Sequence, residues 1–309
     1  MQKMILRRLS LLVPLVFAIS AICFVLINLS PSDPAEVALR VNDITPTSEA
    51  IEQMRVELGL DKPMVERYFI WIKGVLQGDF GVSYETNTPI IEEILYAFPT
   101  TLKLALSALL LIVSLGLFFG VLCAKYEGSL LDKTIRGFIF FATAMPSFWL
   151  GLLLIWFFSL RLDIFPTGGL EEVKGIVLPA ITLSLAYVAT YIRLMRNTLL
   201  SNQQMLFILY AKARGLKEIT VLKHQIRNAL VPFVTALGMS IPKLVAGTVV
   251  VENIFSLPGL GRLCIHAIFS RDYPMIQAYI LLMAVSFILF NLFADILVHW
   301  INPRLKEQL

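Results

Sequence analysis

Apolar residues in this 309-residue chain gather into long blocks separated by polar or charged stretches. The blocks lie at roughly 9–29, 100–124, 137–160, 176–194, 231–252 and 278–300, each close to the about 20 residues needed to cross a bilayer as a helix. Every backbone N–H and C=O in hydrocarbon needs an internal partner, so such spans are helical. The pattern therefore predicts an all-α polytopic membrane protein with six transmembrane helices. The first block follows Lys3, Arg7 and Arg8. It is too long for a secretory h-region and lacks an A-x-A-like cleavage site, so it reads as a retained span.

Between the first two blocks the pattern changes to helical amphipathicity. Thr45-Pro46 reads as an N-cap with proline at the first helical position. Ile51, Met54 and Leu58 then recur at helical spacing, and Gly59 supplies a stop. A second stretch, Pro63 to Leu76, sets Met64, Tyr68, Trp71, Ile72 and Val75 on one face. That face suits either the bilayer interface, which favours Trp and Tyr, or packing over the spans. Three regions result: the N-terminal end with span one (1–29), a helical segment (30–98) and a membrane core (99–309).

Charge assigns sides. Charged residues are only 16% of the chain against 57% hydrophobic, where a soluble protein carries about 25% charged. The N-terminus, 125–136, 193–230 and 301–309 together hold 15 Lys/Arg, and the opposite segments hold 9. Segment 30–98 has 12 acidic residues against 5 basic. By the positive-inside rule, both termini and the 193–230 loop are cytoplasmic and 30–98 is extracytoplasmic. Cys23, Cys123 and Cys264 are scattered and odd in number, which gives no disulfide framework.

The 204–230 stretch carries the strongest functional signal. Met205, Leu206, Leu209 and Leu216 fall at roughly helical spacing, and Lys212, Arg214, Lys217, Lys223 and Arg227 form a positive face opposed by Glu218. Gly215 interrupts the run, which predicts helix, turn, helix. Each half is too short to stand alone in water, so it must pack on span ends, on a partner, or on both. A solvated basic loop held near anionic lipid accounts for the composition equally well.

The residues of this stretch bear a resemblance. Ala211-x-Ala213-Arg214-Gly215-Leu216 and His224-Gln-Ile-Arg227-Asn-Ala-Leu-Val-Pro232 resemble the EAA-type coupling loop of permeases in the peptide/nickel branch of ABC importers. Leu209 stands at the glutamate position and Tyr210 at the first alanine, as is common in that branch. The similarity runs along the whole chain, through Ser32-Asp-Pro34, Leu58-Gly-Leu-Asp61, Gly78-Asp-Phe-Gly-Val-Ser83, Met145-Pro-Ser-Phe-Trp-Leu-Gly151 and Phe165-Pro-Thr-Gly168. It continues through Arg193-x-x-Arg196, Pro258-Gly-Leu-Gly261, Arg271-Asp-Tyr273 and Asn302-Pro-Arg304. The long 30–98 segment is similar to that of the first permease of such pairs.

The resemblance implies a permease subunit in a bacterial inner membrane. Its implied partners are a second homologous permease, two cytoplasmic ATPases, an extracytoplasmic substrate-binding protein and membrane lipid, with no nucleic acid. It also implies that Tyr210, Ala211, Ala213, Arg214, Gly215, Leu216, Lys217 and Arg227 contact the ATPase, with Ala211 and Gly215 allowing close approach. No Gly-x-x-x-x-Gly-Lys-Ser/Thr occurs, so no P-loop cradles ATP in this chain. The chain is expected to be no enzyme and to hold no cofactor. ATP and Mg would be bound by the partner ATPases.

Pathway candidates follow from residues that are unusual inside spans. Pro146, beside Ser147 and Trp149, frees a backbone carbonyl and kinks the helix of span three, which can line a cavity. Lys243 in span five is costly in lipid and should face the bundle interior or water, where Asp295 is one available partner. Glu252 and Asn253 are expected at the outer mouth. The Gly/Pro-rich stretch Asn253–Gln277 suits a re-entrant element. Within it, Cys264 and His266 are weak candidates for a soft metal ion, with no metal site expected. The branch carries short peptides, nickel and metal chelates. Ile44-Thr-Pro-Thr47 and Glu252-Asn-Ile-Phe255 lean toward nickel and metallophore permeases, with peptides as the alternative. A secondary transporter or membrane scaffold is more remote, because the chain shows neither internal repeats nor a soluble output domain.

Overall fold

The computed structural model describes residues 2–29, 33–170 and 172–301, and their side chains except at 2–9, 11, 173 and 297–301. Ser32, Asn302, Pro303, Arg304 and the rest of the 302–309 tail lie outside the described residues, as do the side chains of Lys3, Arg7 and Arg8. The described residues form twelve α-helices and no named strand. Contacts divide the chain into two units, Met1–Thr100 with Pro258–Leu289, and Thr101–Leu257 with Phe290–Leu309.

In the first unit, α1 (Gln2–Asn28) is followed by three short helices, α2 (Pro34–Val41), α3 (Ser48–Glu57) and α4 (Met64–Leu76). Helix α2 was not foreseen. Asp33 starts it by accepting from the Ala35 N–H at 3.1 Å, with Pro34 at the first helical position. Helix α3 begins two residues later than expected. Thr47, not Thr45, is its N-cap and accepts from the Ala50 N–H at 3.2 Å, while Gly59 at φ +64 ends it. Helix α4 lays its aromatic face on α1. The Tyr68 and Trp71 rings lie 5.5 and 6.0 Å from Phe24, and Tyr68 Oη is 2.8 Å from Ser20 Oγ. The opposite side of α4 leaves Val65, Phe69 and Leu76 exposed.

The core of this unit gathers Ile90, Ile94 and Ala97 from the start of α5 (Ile90–Lys125), Leu260 and Cys264 from α11 (Leu260–Ser270), and Met275 and Ala278 from α12 (Tyr273–Ile301). The expected irregular re-entrant element is thus a regular helix over 260–270, entered through Ser256 at φ +51 and left through Arg271 at φ +58. Asp272 joins distant parts of the sequence. It caps the Met275 N–H at 3.2 Å and accepts from Ser83 Oγ at 2.5 Å, and burial raises its pKa above the ordinary carboxylate value.

The second unit centres on α8 (Val177–Asn202), surrounded by α5, α6 (Leu130–Ala144), α7 (Ser147–Leu154, continued as π-helix through Arg161) and α10 (Glu218–Ile254). Small residues bring these helices close, as membrane packing requires. A Cβ on Gly120 would meet Met195 Cβ at 2.6 Å, so α5 and α8 touch there only because the residue is glycine. Across α8 and α10 the Tyr191 and Phe233 rings pack edge to face at 5.3 Å, and Tyr191 Oη donates to Ser240 Oγ at 2.7 Å.

Span three is not a single helix. Helices α6 and α7 are bent by 106° at a break around Pro146. Met145 is extended (φ −86, ψ 134), as a residue preceding proline prefers, and Pro146 begins the next helix. Among the described residues, four helices are long and apolar enough to span a bilayer, or five if this broken pair counts as one. The apolar part of α1, Leu12–Asn28, is shorter.

Candidate functional site

The chain between α8 and α10 is compact. Helix α8 runs to Asn202 and α10 starts at Glu218, so the expected 193–230 loop contracts to fifteen residues around α9 (Leu206–Ala213). The helix–turn–helix reading holds, but its second helix is the opening of the 37-residue α10, which continues through Pro232 and Pro242. Neighbouring helices and local backbone adjustment accommodate such prolines in membrane helices.

Gly215 makes the turn. Its N–H bonds to Lys212 O at 2.9 Å, and the Leu216 N–H bonds back to Ala211 O at 3.3 Å, with φ +71 at Gly215. This is a Schellman ending, which uses glycine because its left-handed backbone disfavours a Cβ. A Cβ there meets nothing within 4 Å, so the requirement is conformational rather than steric.

Ala213 and Gly215 are exposed, whereas Ala211 does not lie as the resemblance implied. Ala211 turns inward, 8% exposed, and packs with Ile208 and Val221. It holds α9 against α10 and offers no outer surface for close approach. The outer face is apolar, with Leu206 82%, Leu209 50% and Tyr210 66% exposed and Ala213 exposed beside them. Leu216 and Ile219 extend this surface, and Lys212, Arg214, Lys217, Lys223 and Arg227 are exposed around it. The Arg214 guanidinium stacks 5.9 Å from the Tyr210 ring. Polar contacts steady the base: Asn228 Nδ2 donates to Asn202 Oδ1 at 3.3 Å, and Asn202 Nδ2 to Gln225 O at 3.4 Å. The result is an apolar ridge edged by cations, on a helix of only eight residues. A helix this short that keeps leucine and tyrosine outward is suited to a covering partner.

Sequence reasoning missed the outward direction of Leu206, Leu209 and Ile219. It also missed the ion pair that secures α6 to α8. Asp132, 0% exposed, accepts from Arg196 Nε and NH2 at 3.0 and 2.9 Å and from the Gly128 N–H at 3.1 Å. Its signal was an aspartate beside Lys133 and one turn from Arg136, in a short polar stretch between two apolar blocks.

The pathway candidates separate. Pro146 and Trp149 are exposed and Ser147 is partly so, all at the start of α7, which packs on α8 and α10. Lys243 does not turn into the chain's own bundle. It stands on the exposed stripe of α10 with Met239, Ala246, Val250 and Asn253. Glu252, expected at the outer mouth, is 0% exposed and accepts from Thr101 Oγ1 at 2.7 Å. The Phe165-Pro-Thr-Gly168 segment closes against the end of α10: Gly169 N–H bonds to Phe255 O at 3.0 Å, where a Cβ on Gly168 would collide. Cys264 is buried among apolar residues, which pushes its pKa up to about 11, while His266 is 68% exposed and pairs with Glu85 at 3.1 Å. The two side chains do not converge, and the described residues contain no group of three or more His, Cys, Asp or Glu suited to a metal.

Comparison with known proteins adds three findings. Residues 116–307 match the family of binding-protein-dependent transport system inner membrane components, and residues 1–105 match the N-terminal family of such membrane components. The metal-staphylopine import system permease protein CntB of Staphylococcus aureus (strain Mu50 / ATCC 700699) is 39% identical over 309 residues, 99% of each chain. The dipeptide transport system permease protein DppB of Escherichia coli (strain K12) is 34% identical over 340 residues, covering both chains fully. Among solved structures, the methionine ABC transporter MetNI in inward-facing conformations shares the fold, with TM-score 0.57 and 17% identity over 68% of this chain and 96% of that one.

Proposed function

The chain belongs to the family of binding-protein-dependent transport system inner membrane components, and from that premise we propose that it imports a metal chelate under the drive of an ATPase docked on α9. It is the integral inner-membrane permease of an ABC importer. The ridge of Leu206, Leu209, Tyr210 and Ala213 is the observation that carries the docking assignment, because exposed apolar surface on so short a helix calls for a cover. Arg214, Lys217 and Arg227 set the orientation by charge, and the Gly215 turn fixes the angle of α9 against α10. Nucleotide-driven movement of the docked ATPases then rocks α10 and the helices packed on it. ATP and Mg belong to those partners.

A second homologous permease completes the pathway. The exposed stripe of α10 with Lys243 faces it or the water-filled path, which resolves the cost of a cation at that depth. An extracytoplasmic binding protein delivers cargo to the side carrying 30–98, both termini are cytoplasmic, and α1 and the broken α6–α7 pair bring the spans to six. Likeness to the metal-staphylopine permease supports a metal chelate as cargo. Likeness to the dipeptide permease supports short peptides as the second reading.

The deciding experiment is uptake of radioactive nickel, offered free and chelated, against a labelled dipeptide, in cells with and without this chain and with its partners present. Loss of metal uptake alone on deletion is expected. Loss of dipeptide uptake alone would move the protein to the peptide carriers.

A further inference from the structure

A groove of about 660 Å³ lies between α6 and α8, away from α9. Lys133 and Arg136 project into it from α6, and Arg193 and Arg196 from α8. Arg196 is committed to Asp132 and lies 3.8 Å from Glu127, while Arg136 reaches Asp132 only at 3.8 Å. Lys133 and Arg193 are exposed and enter no ion pair among the described residues. The groove therefore keeps positive charge beyond what its own acids neutralise. It is also amphiphilic along its length. Gly137 leaves its floor open, and Ile139, Phe140 and Ile192 line it beyond the cations. On the same helix, Phe138 and Phe141 are exposed.

A cationic end leading into an apolar, aromatic wall on a membrane helix matches one kind of molecule, a phosphate headgroup with an acyl chain attached. Basic pockets between membrane helices hold anionic headgroups for this reason. Arginine supplies planar paired donors to phosphate oxygens, and lysine adds a point charge. We propose that the α6–α8 groove is a binding site for an anionic glycerophospholipid, with Lys133, Arg136 and Arg193 on the phosphate and the acyl chain along the exposed Phe140. A soluble phosphate ester would use the same cations but gain nothing from the wall. The groove would hold lipid whatever the cargo, so loss of lipid retention and loss of the transport reading are separate results.

The test is lipid retention by the assembled importer in detergent, followed by native mass spectrometry during titration with phosphatidylglycerol or phosphatidylcholine. The unaltered protein should hold phosphatidylglycerol at least tenfold more tightly. Lys133→Gln with Arg193→Gln removes two exposed cations without touching the Asp132–Arg196 pair, so folding is retained. That variant should lose roughly 30-fold in affinity, about 2 kcal/mol. Lys62→Gln with Lys73→Gln, far along the sequence on the 30–98 segment, should lose none, and millimolar inorganic phosphate should not displace the lipid. Equal retention of the two lipids, no loss in the Lys133/Arg193 variant, an equal loss in the control, or displacement by phosphate would each overturn the proposal.

Discussion

Two short amphipathic helices, α4 and α9, use their apolar residues in opposite ways. In α4 the aromatic face meets a surface within the same chain: Tyr68 and Trp71 cover Phe24, and a hydroxyl contact to Ser20 fixes the register. In α9 only Ile208 and Ala211 turn inward, and the leucines and tyrosine point out. Both helices keep apolar residues exposed, Val65, Phe69 and Leu76 in α4 and Leu206, Leu209 and Tyr210 in α9, yet α4 has its Tyr68–Trp71 face packed on α1 while α9 turns its tyrosine outward. Of the two, α9 is the one edged by five cations and terminated by a glycine-dependent turn. On the proposed function, apolar exposure next to charge, rather than charge alone, is what marks α9 as the ATPase-docking surface.

The sharpest break of this comparison is to damage each helix in turn. Phe24→Ala should cost about 3–5 kcal/mol of stability, as deletion of a buried aromatic does, with uptake per folded molecule unchanged; thermal unfolding in detergent alongside uptake measures both. Leu209→Asp with Tyr210→Asp should leave stability within about 0.5 kcal/mol, as for exposed positions, yet lower uptake at least tenfold. Gly215→Ala places a Cβ at positive φ and should cost about 1–2 kcal/mol in the α9 turn. Its uptake should fall between the unaltered protein and the Leu209/Tyr210 variant, and hydrogen exchange across 206–217 should rise. Tyr68→Phe should cost about 1 kcal/mol, the worth of one hydrogen bond, with no change in uptake. A loss of uptake there equal to that of the α9 variants would dissolve the contrast.

Much of this was legible in the sequence. Hydropathy located four of the six expected spans as long apolar helices and a fifth as the broken α6–α7 pair, because each crossing must bury a continuous apolar run. Gly215 and its flanking cations marked helix, turn, helix. What escaped was direction. Averaged hydropathy runs straight through Met145-Pro146, but the proline marks a kink there, and the chain bends by 106° at that point. Thr45 and Thr47 are chemically equivalent caps, and the chain uses the one whose oxygen reaches the Ala50 N–H. The small side chain of Ala211 suggests close approach to a partner, and the approach it makes is to Ile208 and Val221 of its own chain. Glu252 and Asp132 were hidden because a buried acid depends on a partner 151 or 64 residues away, Thr101 and Arg196, which spacing along the chain does not reveal. The Ser83–Asp272 contact, 189 residues apart, likewise gives two motif segments a shared structural reason that order alone did not provide.

The most direct measurement is co-purification of the ATPase with the permease carrying Leu209→Asp and Tyr210→Asp, at matched expression and with uptake followed in the same cells. The account predicts that the variant inserts normally, loses the ATPase and loses uptake together. Full retention of the ATPase with normal uptake would contradict the assignment of α9 as the coupling surface.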